Sequence, residues 1–396
     1  MQVATVVFVS GERLPMLLDN DGLPVVGPCE WILSKRHRAF TTLCRNMAEL
    51  LVMQNWFVQR NIDLFQRLYS GGRFTEAEIS SLVEQLRRAQ PSGHKVQRLA
   101  VSPDTANKRI GSVIGYLSWC FGLVVTSEKL SSAIRQELHN NHQFVMRRLI
   151  EGRQRPEPRQ KKTKKLTVDQ AQFLQDVLDP NLESGFGRDR TVKIRNFLMI
   201  VLMLLLGVRP GEVLSLRVRD VEFGAITCIR VRRRALSLAD SRARPASVKR
   251  AGRVLILDSP RVAQMLDDYI LEHRERVLRR QERPNEFLFL SDEGDPLSID
   301  TLQEVLRELR RRYPANLPSH LTAKALRHTF TDNIQRDMRS LGKTDHQIES
   351  TLMYLRGDTS PDSQDGYIDY AESAQEAIRR YQMKVTSKGN AQDVPF

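Results

Sequence analysis

The sequence has few cysteines, and their spacing excludes the common cysteine-based sites. Its four cysteines, Cys29, Cys44, Cys120 and Cys228, are scattered, and none belongs to a CxxC pair or to a cysteine–histidine cluster. We therefore expect reduced, packed thiols in a reducing compartment, with no zinc site.

Long hydrophobic runs are also missing. The longest, Phe197 to Leu206, has ten residues, whereas a helix needs roughly 20 to cross a bilayer core. The apolar start, Met1 to Ser10, lacks the basic region and the small-residue cleavage site of a secretory signal. These absences predict a cytoplasmic protein with no membrane partner.

What the sequence does have is positive charge. Its 396 residues are 41% hydrophobic and 27% charged, which is typical of globular domains and allows two cores of ordinary size. Lysine and arginine exceed the acidic residues by 14, and the pI is about 9.9. Such an excess favours a polyanionic partner, nucleic acid before an anionic membrane.

One segment separates two regions of apolar patterning. Residues 151–165 (EGRQRPEPRQKKTKK) carry seven basic residues, two prolines and no large apolar side chain, so they cannot form a core. We predict an N-terminal extension over 1–29, a helical domain over 30–150, this basic linker, and a second domain over 166–396. The linker is either a solvated tether or a tether that also contacts phosphates.

The region before the linker has helical periodicity. Apolar residues recur near a 3.6-residue period over 41–58, and Thr75 with Glu78 predicts a capping box at the start of a helix. Further helices are predicted over 105–121 and 127–149, which gives a compact four-helix domain after an irregular extension. Its aromatic residues are expected in or near the core rather than on a base-stacking platform: Trp56, Phe57, Tyr116 and Trp119.

The second domain mixes helices and strands. Thr167 with Gln170 predicts another capping box, a helix over about 192–206 ends at Gly207, and Pro210 fits the first turn of the next helix. Alternating residues predict strands at 226–231 and 254–257, with a further short strand at 287–290. The expected fold class is therefore mainly α, of α+β type: a helical N-terminal domain and a mixed helical C-terminal domain with a small antiparallel β-sheet.

Residues 207–221 (GVRPGEVLSLRVRDV) place an arginine between two helices. A planar guanidinium can donate two parallel hydrogen bonds to a phosphate, and a nearby helix N-terminus also favours an anion. The segment resembles the first arginine motif of the tyrosine recombinases, the phage integrase family, which implies a catalytic role for Arg209. The alternative is an ordinary arginine in a turn.

Residues 321–330 (LTAKALRHTF) resemble the HxLRHT box of the same family, which implies that Arg327 is the second catalytic arginine. Two arginines on one phosphate would neutralise the charge that develops on its non-bridging oxygens. The box departs from the family at Lys324, where a histidine is usual. A lysine can donate to phosphate but is a poor general base unless its pKa is strongly depressed. His328 could be recruited, although we favour a structural histidine.

The segment between the two predicted strands is strongly basic. Residues 230–253 contain nine basic side chains and one acidic one, Asp240. Within it, residues 247–254 (SVKRAGRV) resemble the family's β-hairpin lysine, which implies that Lys249 protonates the departing 5′-oxygen. The alternatives are a solvated loop that contacts DNA, or Arg250 or Arg253 in the place of Lys249.

Residues 357–367 (GDTSPDSQDGY) end on the candidate nucleophile. In the family, a Gly-His or Gly-Trp pair stands nine residues before the nucleophilic tyrosine, and the same spacing before Tyr367 falls on Asp358. An ionised aspartate cannot donate to phosphate and would repel it, so it would instead orient an arginine or the lysine. Tyr354 and Tyr370 are competing candidates for the nucleophile.

The resemblance covers about residues 166–390 as the catalytic domain, and the helical region would be the core-binding domain. It implies a site-specific recombinase that cleaves and rejoins double-stranded DNA through a 3′-phosphotyrosyl link, with no metal, cofactor or ATP. Four protomers would assemble on two sites, usually by docking a C-terminal helix onto a neighbour, for which the segment 371–385 is a candidate. An accessory directionality factor is a further expected partner, and the protein would be associated with the nucleoid.

Most contacts with DNA would go to phosphates, which makes binding salt-dependent. The residues that we expect to make such contacts, beside the catalytic ones, are Lys161, Lys162, Lys164, Lys165 and Arg250. Two alternatives remain open: a type IB topoisomerase-like activity that nicks and reseals DNA, and a non-catalytic DNA-binding protein derived from a recombinase.

Overall fold

The structure is a computed structural model. It describes residues 1–89, 99–128, 130–155, 164–182, 185–235, 237–246, 248, 252–280, 284–358 and 367–386; for 367–373 and 386 it describes the backbone alone. The chain divides into two compact units, Met1–Lys161 and Lys162–Phe396. The division lies inside the predicted linker.

The N-terminal unit begins with a β-hairpin. Strands β1 (Gln2–Val7) and β2 (Arg13–Leu18) pair antiparallel, with Gln2 opposite Leu18. Leu14 and Leu17 of β2 are buried in the core of the unit. The prediction of an irregular N-terminal extension is therefore wrong, because these residues form a regular hairpin that contributes to the core.

In the part of this unit that the structure describes, six helices follow the hairpin: α1 (Val26–Ser34), α2 (Phe40–Gln59), α3 (Leu64–Tyr69), α4 (Glu76–Arg87), α5 (Pro103–Val125) and α6 (Ser132–Glu151). The four predicted helices correspond to α2, α4, α5 and α6, whereas the short α1 and α3 were not predicted. The capping box of Thr75 and Glu78 is present. Trp56, Phe57 and Tyr116 are buried, and Trp119 packs against the same core.

The C-terminal unit has nine helices within its described residues: α7 (Val168–Leu178), α8 (Arg190–Leu206), α9 (Pro210–Val213), α10 (Pro260–Asp268), α11 (Glu275–Leu278), α12 (Ile299–Arg312), α13 (Ala323–Ser340), α14 (Asp345–Arg356) and α15 (Tyr367–Thr386). A π-helical stretch joins α10 to α11. The expected mainly helical fold class is confirmed. The capping box of Thr167 and Gln170 is also present.

Helix α8 is the centre of this unit. Nearly all of its residues are buried, from Ile194 to Leu206 without interruption. A helix that is apolar all round must lie within a core or a membrane. Here it contacts α7, α10, α13 and α15 of its own unit, and none of the helices described is long and apolar enough to cross a membrane.

A three-stranded antiparallel sheet covers one side of α8. The order is β3 (Val221–Glu222), β4 (Thr227–Val231) and β5 (Arg253–Leu257), with Thr227 opposite Leu257. The two strands predicted nearest the basic segment are confirmed. The short strand predicted at 287–290 is wrong, because Phe287 and Leu290 make isolated bridges only.

The last helix, α15, packs within its own unit. Ala377, Ile378 and Tyr381 are buried, and the Tyr381 hydroxyl donates to the Leu204 carbonyl of α8 over 3.1 Å. The Gln382 amide donates to the Ile256 carbonyl of β5 over 2.9 Å. The prediction that residues 371–385 dock onto a neighbouring protomer stays a prediction; in this single chain the apolar face of the helix packs against its own unit.

Candidate active site

The first arginine is presented by a helix break. Helix α8 ends at Gly207, which has a φ of 61°, a left-handed conformation that glycine adopts without steric cost. A Cβ at this position would lie 2.2 Å from Cδ1 of Phe330, so the close approach also requires glycine. Two residues later, Arg209 stands at the N-terminus of α9, and Pro210 occupies its first turn.

The second arginine lies on α13, which packs against α8. Thr322 caps the helix by accepting from the Ala325 amide over 3.2 Å. One turn further, the Arg327 side chain is buried and donates from Nη1 to the Gly207 carbonyl over 2.6 Å. The glycine that ends α8 therefore also positions the second arginine.

The C-terminus of α14 brings the two arginines together. The Arg356 carbonyl accepts from Nη1 of Arg209 over 2.8 Å and from Nη2 of Arg327 over 2.9 Å. The Leu355 carbonyl accepts from Nε of Arg253 over 2.7 Å. The last carbonyls of a helix have no partner within it and carry partial negative charge. Guanidinium groups satisfy them here, and the arginines are thereby fixed in position.

A buried carboxylate supports the arginines from the other side. Glu212 is fully buried and accepts from the Arg209 backbone amide over 2.8 Å and from Nη1 of the same residue over 2.9 Å. It also accepts from Arg253 over 2.9 and 3.2 Å. Burial raises the pKa of Glu212, but the hydrogen bonds from Arg253 and Arg209 outweigh it and hold the pKa below its usual value. The carboxylate is therefore ionised at neutral pH.

Asp358 follows directly after the glycine that ends α14. Its Oδ1 lies 2.6 Å from Nη2 of Arg209, and its Oδ2 lies 3.1 Å from Nε of Arg356 and 4.0 Å from Nη2 of Arg327. Gly357 has a φ of 60° and turns the chain so that this carboxylate faces the arginines. Asp358 is therefore an ion-pair partner of Arg209 and Arg356, and its role in orienting an arginine stays a prediction.

The site keeps an excess of positive charge. Among the described residues, its ion pairs join the guanidinium groups of Arg209, Arg253, Arg327 and Arg356 to the carboxylates of Glu212 and Asp358, which is two more positive than negative charges. Burial and the nearby Arg209 lower the pKa of Arg327 to about 9. Arg327 stays protonated at neutral pH, and an incoming anion would relieve the repulsion.

Lys324 and His328 lie near the second arginine on α13. Lys324 is exposed in the first turn, three residues before Arg327 and four before His328, so the three side chains share one side of the helix. Burial lowers the pKa of the half-buried His328, and the charges of Lys324 and Arg356 lower it further. A neutral imidazole therefore lies beside the cationic site.

Residues 164–341 match the phage integrase family. This stretch includes Arg209, Glu212 and Arg327, whose side chains lie together in one site, and Lys324, three residues before Arg327 on α13. The match to the phage integrase family lies wholly within the second unit, which we call the integrase unit.

Comparison with curated protein sequences gave no significant match. Similar solved structures include XerH recombinase on its palindromic difH substrate, with 14% identity, 92% of this chain and 83% of that chain covered, and a TM-score of 0.48. A lambda integrase dimer on a COC′ core site has 11% identity, coverages of 84% and 94%, and a TM-score of 0.44. The Tn1549 transposon integrase with transposon right end DNA has 14% identity, coverages of 86% and 99%, and a TM-score of 0.36. Because these TM-scores are below 0.5, the family assignment rests on the sequence match.

The three candidate nucleophilic tyrosines of the integrase unit differ in their structural surroundings. Tyr367 is the first residue of α15, nine residues after Asp358, and its side chain lies outside the description, as does that of Tyr370. Tyr354 is half-buried, and its hydroxyl donates to the Val254 carbonyl of β5 over 3.2 Å. This contact gives Tyr354 a structural role, whereas the backbone of Tyr367 begins a helix that is held within the integrase unit by its second half.

The basic segment before β5 is only partly described. Lys249 and Arg250 lie outside the described residues. Arg253 is buried against Glu212 and cannot take the place of Lys249 as a mobile acid. Arg242 is also buried, paired with Asp240 at 2.7 Å and donating to the Leu214 and Leu297 carbonyls. Part of the predicted DNA-contacting charge is therefore structural.

Two of the four linker lysines that we expect to contact DNA are described by the structure. Lys161 and Lys162 lie outside the described residues, whereas Lys164 and Lys165 are exposed. Nζ of Lys165 donates to Asp332 over 2.7 Å, and the next amide, of Leu166, donates to Thr329 over 2.9 Å. The start of the integrase unit is thus attached to α13 close to Arg327.

Three residues of the site were not recognised as such in the sequence: Glu212 as a partner of two arginines, Arg253 as its buried counterion, and Arg356 as a third guanidinium beside Asp358. Glu212 carried a signal, because it stands three residues after Arg209 at a helix start, where a glutamate can accept from the first amide. The partners of Arg253 come from distant segments, and the ion pair of Arg356 with Asp358, two residues later, belongs to no motif recognised in the sequence. Within the described part of the chain, no group of three or more His, Cys, Asp or Glu side chains could hold a metal ion.

Proposed function

We propose that this protein is a site-specific DNA recombinase that cuts and rejoins DNA through a covalent bond to Tyr367, in the integration or excision of a mobile element. The observation that carries the proposal is the convergence of Arg209 and Arg327 on the Arg356 carbonyl, at 2.8 and 2.9 Å. This convergence sets two guanidinium groups side by side at the residue that precedes the Gly357–Asp358 turn. The family match of residues 164–341 supports the same activity.

In the proposed reaction, the Tyr367 hydroxyl loses its proton to solvent as its oxygen attacks the phosphorus of the scissile phosphodiester. A 3′-phosphotyrosyl bond forms, and the bond to the 5′-oxygen breaks. Lys249 gives its proton to that oxygen, while Arg209 and Arg327 stabilise the charge on the non-bridging oxygens. Lys324 is an additional donor to the phosphate.

Rejoining reverses these roles. A 5′-hydroxyl from a partner duplex loses its proton and attacks the phosphotyrosyl bond, which releases the tyrosine. The number of phosphoester bonds is unchanged, so the exchange needs no ATP. Four protomers on two synapsed sites would allow strands to pass between duplexes, and an accessory protein would set the direction.

The proposed DNA surface follows the positive charge. Lys161, Lys162, Lys164, Lys165 and Arg250 would contact phosphates, together with the catalytic arginines. Each phosphate contact releases counterions from DNA, so affinity should fall steeply as salt rises.

The test compares the wild type with Tyr367→Phe, with Tyr370→Phe as the matched control. Cells expressing each protein are lysed under denaturing conditions, the protein is purified, and any attached DNA is sequenced. We expect DNA from discrete sites with the wild type and the Tyr370→Phe control, and none with Tyr367→Phe. Equal attachment in Tyr367→Phe would contradict the choice of nucleophile.

Two further outcomes distinguish the alternatives. Relaxation of supercoiled DNA by monomers, without recombinant products, would favour a topoisomerase-like activity. Salt-sensitive DNA binding with no adduct, even on a nicked substrate that traps the intermediate, would favour a non-catalytic DNA-binding protein.

A further inference from the structure

Asp358 occupies a place in the arginine cluster that suits an anionic ligand. Its two carboxylate oxygens lie 2.6 Å from Nη2 of Arg209 and 3.1 Å from Nε of Arg356. A carboxylate between guanidinium groups offers the same kind of acceptors as two oxygens of a phosphate. A phosphodiester that approached Arg209 would meet this carboxylate and be repelled by it.

The Arg356 side chain lies beside a carboxylate, but its Nε–H group has no well-aligned hydrogen-bond acceptor. Its Nε is buried and makes no hydrogen bond within the described part of the chain, although the Asp358 Oδ2 is 3.1 Å away. The contact is therefore an ion pair without hydrogen-bond alignment. A buried N–H group without a hydrogen bond is costly and gains from a better-aligned acceptor.

The two arginines proposed to stabilise the phosphate, Arg209 and Arg327, are held independently of this carboxylate. Arg209 is fixed by Glu212 and by the Arg356 carbonyl, and Arg327 by the Gly207 and Arg356 carbonyls. Removing Asp358 would leave these hydrogen bonds in place. The carboxylate is thus not required to keep Arg209 and Arg327 in position.

We propose that Asp358 is an internal substitute for the DNA phosphate. Its carboxylate fills the position between Arg209 and Arg356 in the DNA-free protein and moves aside when a phosphate enters, and Arg356 then binds the phosphate as a third guanidinium. The inference rests on the proposed function for the identity of the phosphate as part of DNA. It assigns Arg356 a role in binding that the usual histidine or tryptophan has in the family.

The test measures binding of inorganic phosphate to the full chain by ³¹P NMR at fixed ionic strength. Asp358→Asn removes the charge and keeps the size of the side chain, and we expect it to tighten phosphate binding about tenfold, the effect of losing one charge-assisted competitor. Adding Arg356→Gln to this variant should abolish the gain. Asp358→His serves as a second variant without the charge and should tighten binding in the same direction.

The matched control is Asp345→Asn. Asp345 is 91% exposed at the opposite end of α14, about 18 Å from Asp358 along a helix of this length. It loses the same charge and should leave phosphate affinity within twofold of the wild type. An equal gain in the control would show a general effect of net charge and overturn the proposal.

Two other results would overturn the inference. Unchanged or weaker phosphate binding in a folded Asp358→Asn protein would mean that the carboxylate only supports the arginines. If adding Arg356→Gln to Asp358→Asn left the affinity for phosphate unchanged, Arg356 would not be part of the phosphate-binding site. Neither measurement involves Tyr367, so absence of a covalent DNA adduct would refute the proposed function and leave this result standing.

Discussion

Removal of Glu212 should destabilise the integrase unit severely. Glu212→Ala leaves the guanidinium of Arg253 buried without its carboxylate, since the side chains of both residues are almost completely inaccessible. Breaking a buried ion pair from one side costs roughly 3–5 kcal/mol. For a unit of this size, that loss corresponds to a fall in Tm of about 10 °C. Glu212→Gln should cost less, because its amide oxygen still accepts from the Arg209 backbone amide.

The assay is calorimetry of the full chain together with tryptophan fluorescence. All three tryptophans, Trp31, Trp56 and Trp119, belong to the N-terminal unit, so fluorescence reports the unfolding of that unit alone. We expect the fluorescence transition to stay in place while the other calorimetric transition moves to lower temperature.

The matched control for this prediction is Glu222→Ala. Glu222 is paired with Arg230, but both side chains are well exposed, and exposed ion pairs contribute little. The control should leave both transitions unchanged. A Glu212→Ala protein with an unchanged Tm, or one in which only the tryptophan transition moves, would refute the argument that a buried ion pair supports the arginines.

Three further predictions concern single residues. Arg327→Lys keeps the positive charge but loses the planar guanidinium group, so formation of the covalent DNA adduct on a nicked substrate should slow by roughly 10²–10³-fold. The affinity for DNA in a gel-shift assay should change little. An unchanged rate of adduct formation would show that Arg327 has no role in catalysis. Burial and the charge of Lys324 lower the pKa of His328 in the folded protein below the unfolded value of about 6.5. The free energy of unfolding should therefore fall as pH drops below about 6.5, and urea titrations of His328→Asn should show a smaller fall. An identical pH dependence in this variant would contradict a lowered pKa for His328. Gly207→Ala should be destabilised well beyond Gly342→Ala in thermal melting, because both have positive φ but only the first Cβ meets Phe330; equal losses would show that the close approach is unimportant.

The parts of the fold that were predicted correctly are determined by neighbours in sequence. Gly207 ends α8 because only a glycine easily adopts the left-handed conformation there, and Thr75 opens α4 through a glutamate three residues later. The N-terminal hairpin was missed because β2 buries three consecutive residues, Arg13 to Pro15, instead of alternate ones, and because it contains a proline. Both features are unusual for a strand.

The residues of the site also divide into those that a local motif predicts and those whose partners are distant in sequence. Arg209 and Arg327 were identified because each stands in a contiguous motif with a recognisable helix boundary. Their joint acceptor, the Arg356 carbonyl, is 147 residues from Arg209, and Glu212 is 41 residues from Arg253. These pairings depend on how α14 packs against β5 and α13, which a single sequence does not specify. The sequence does not decide between an arginine and the lysine as the partner of Asp358 for the same reason, because Arg209 lies 149 residues away along the chain.

The most direct test of the central claim is to identify the residue that carries the DNA. The adduct formed on a nicked substrate is digested with nuclease and protease, and the modified peptide is sequenced by mass spectrometry. We predict a nucleotide attached to Tyr367 and its loss in Tyr367→Phe. A nucleotide on Tyr370 or Tyr354 would contradict the assignment of the nucleophile, and a stable protein–DNA complex that never yields a modified peptide would contradict the recombinase activity itself.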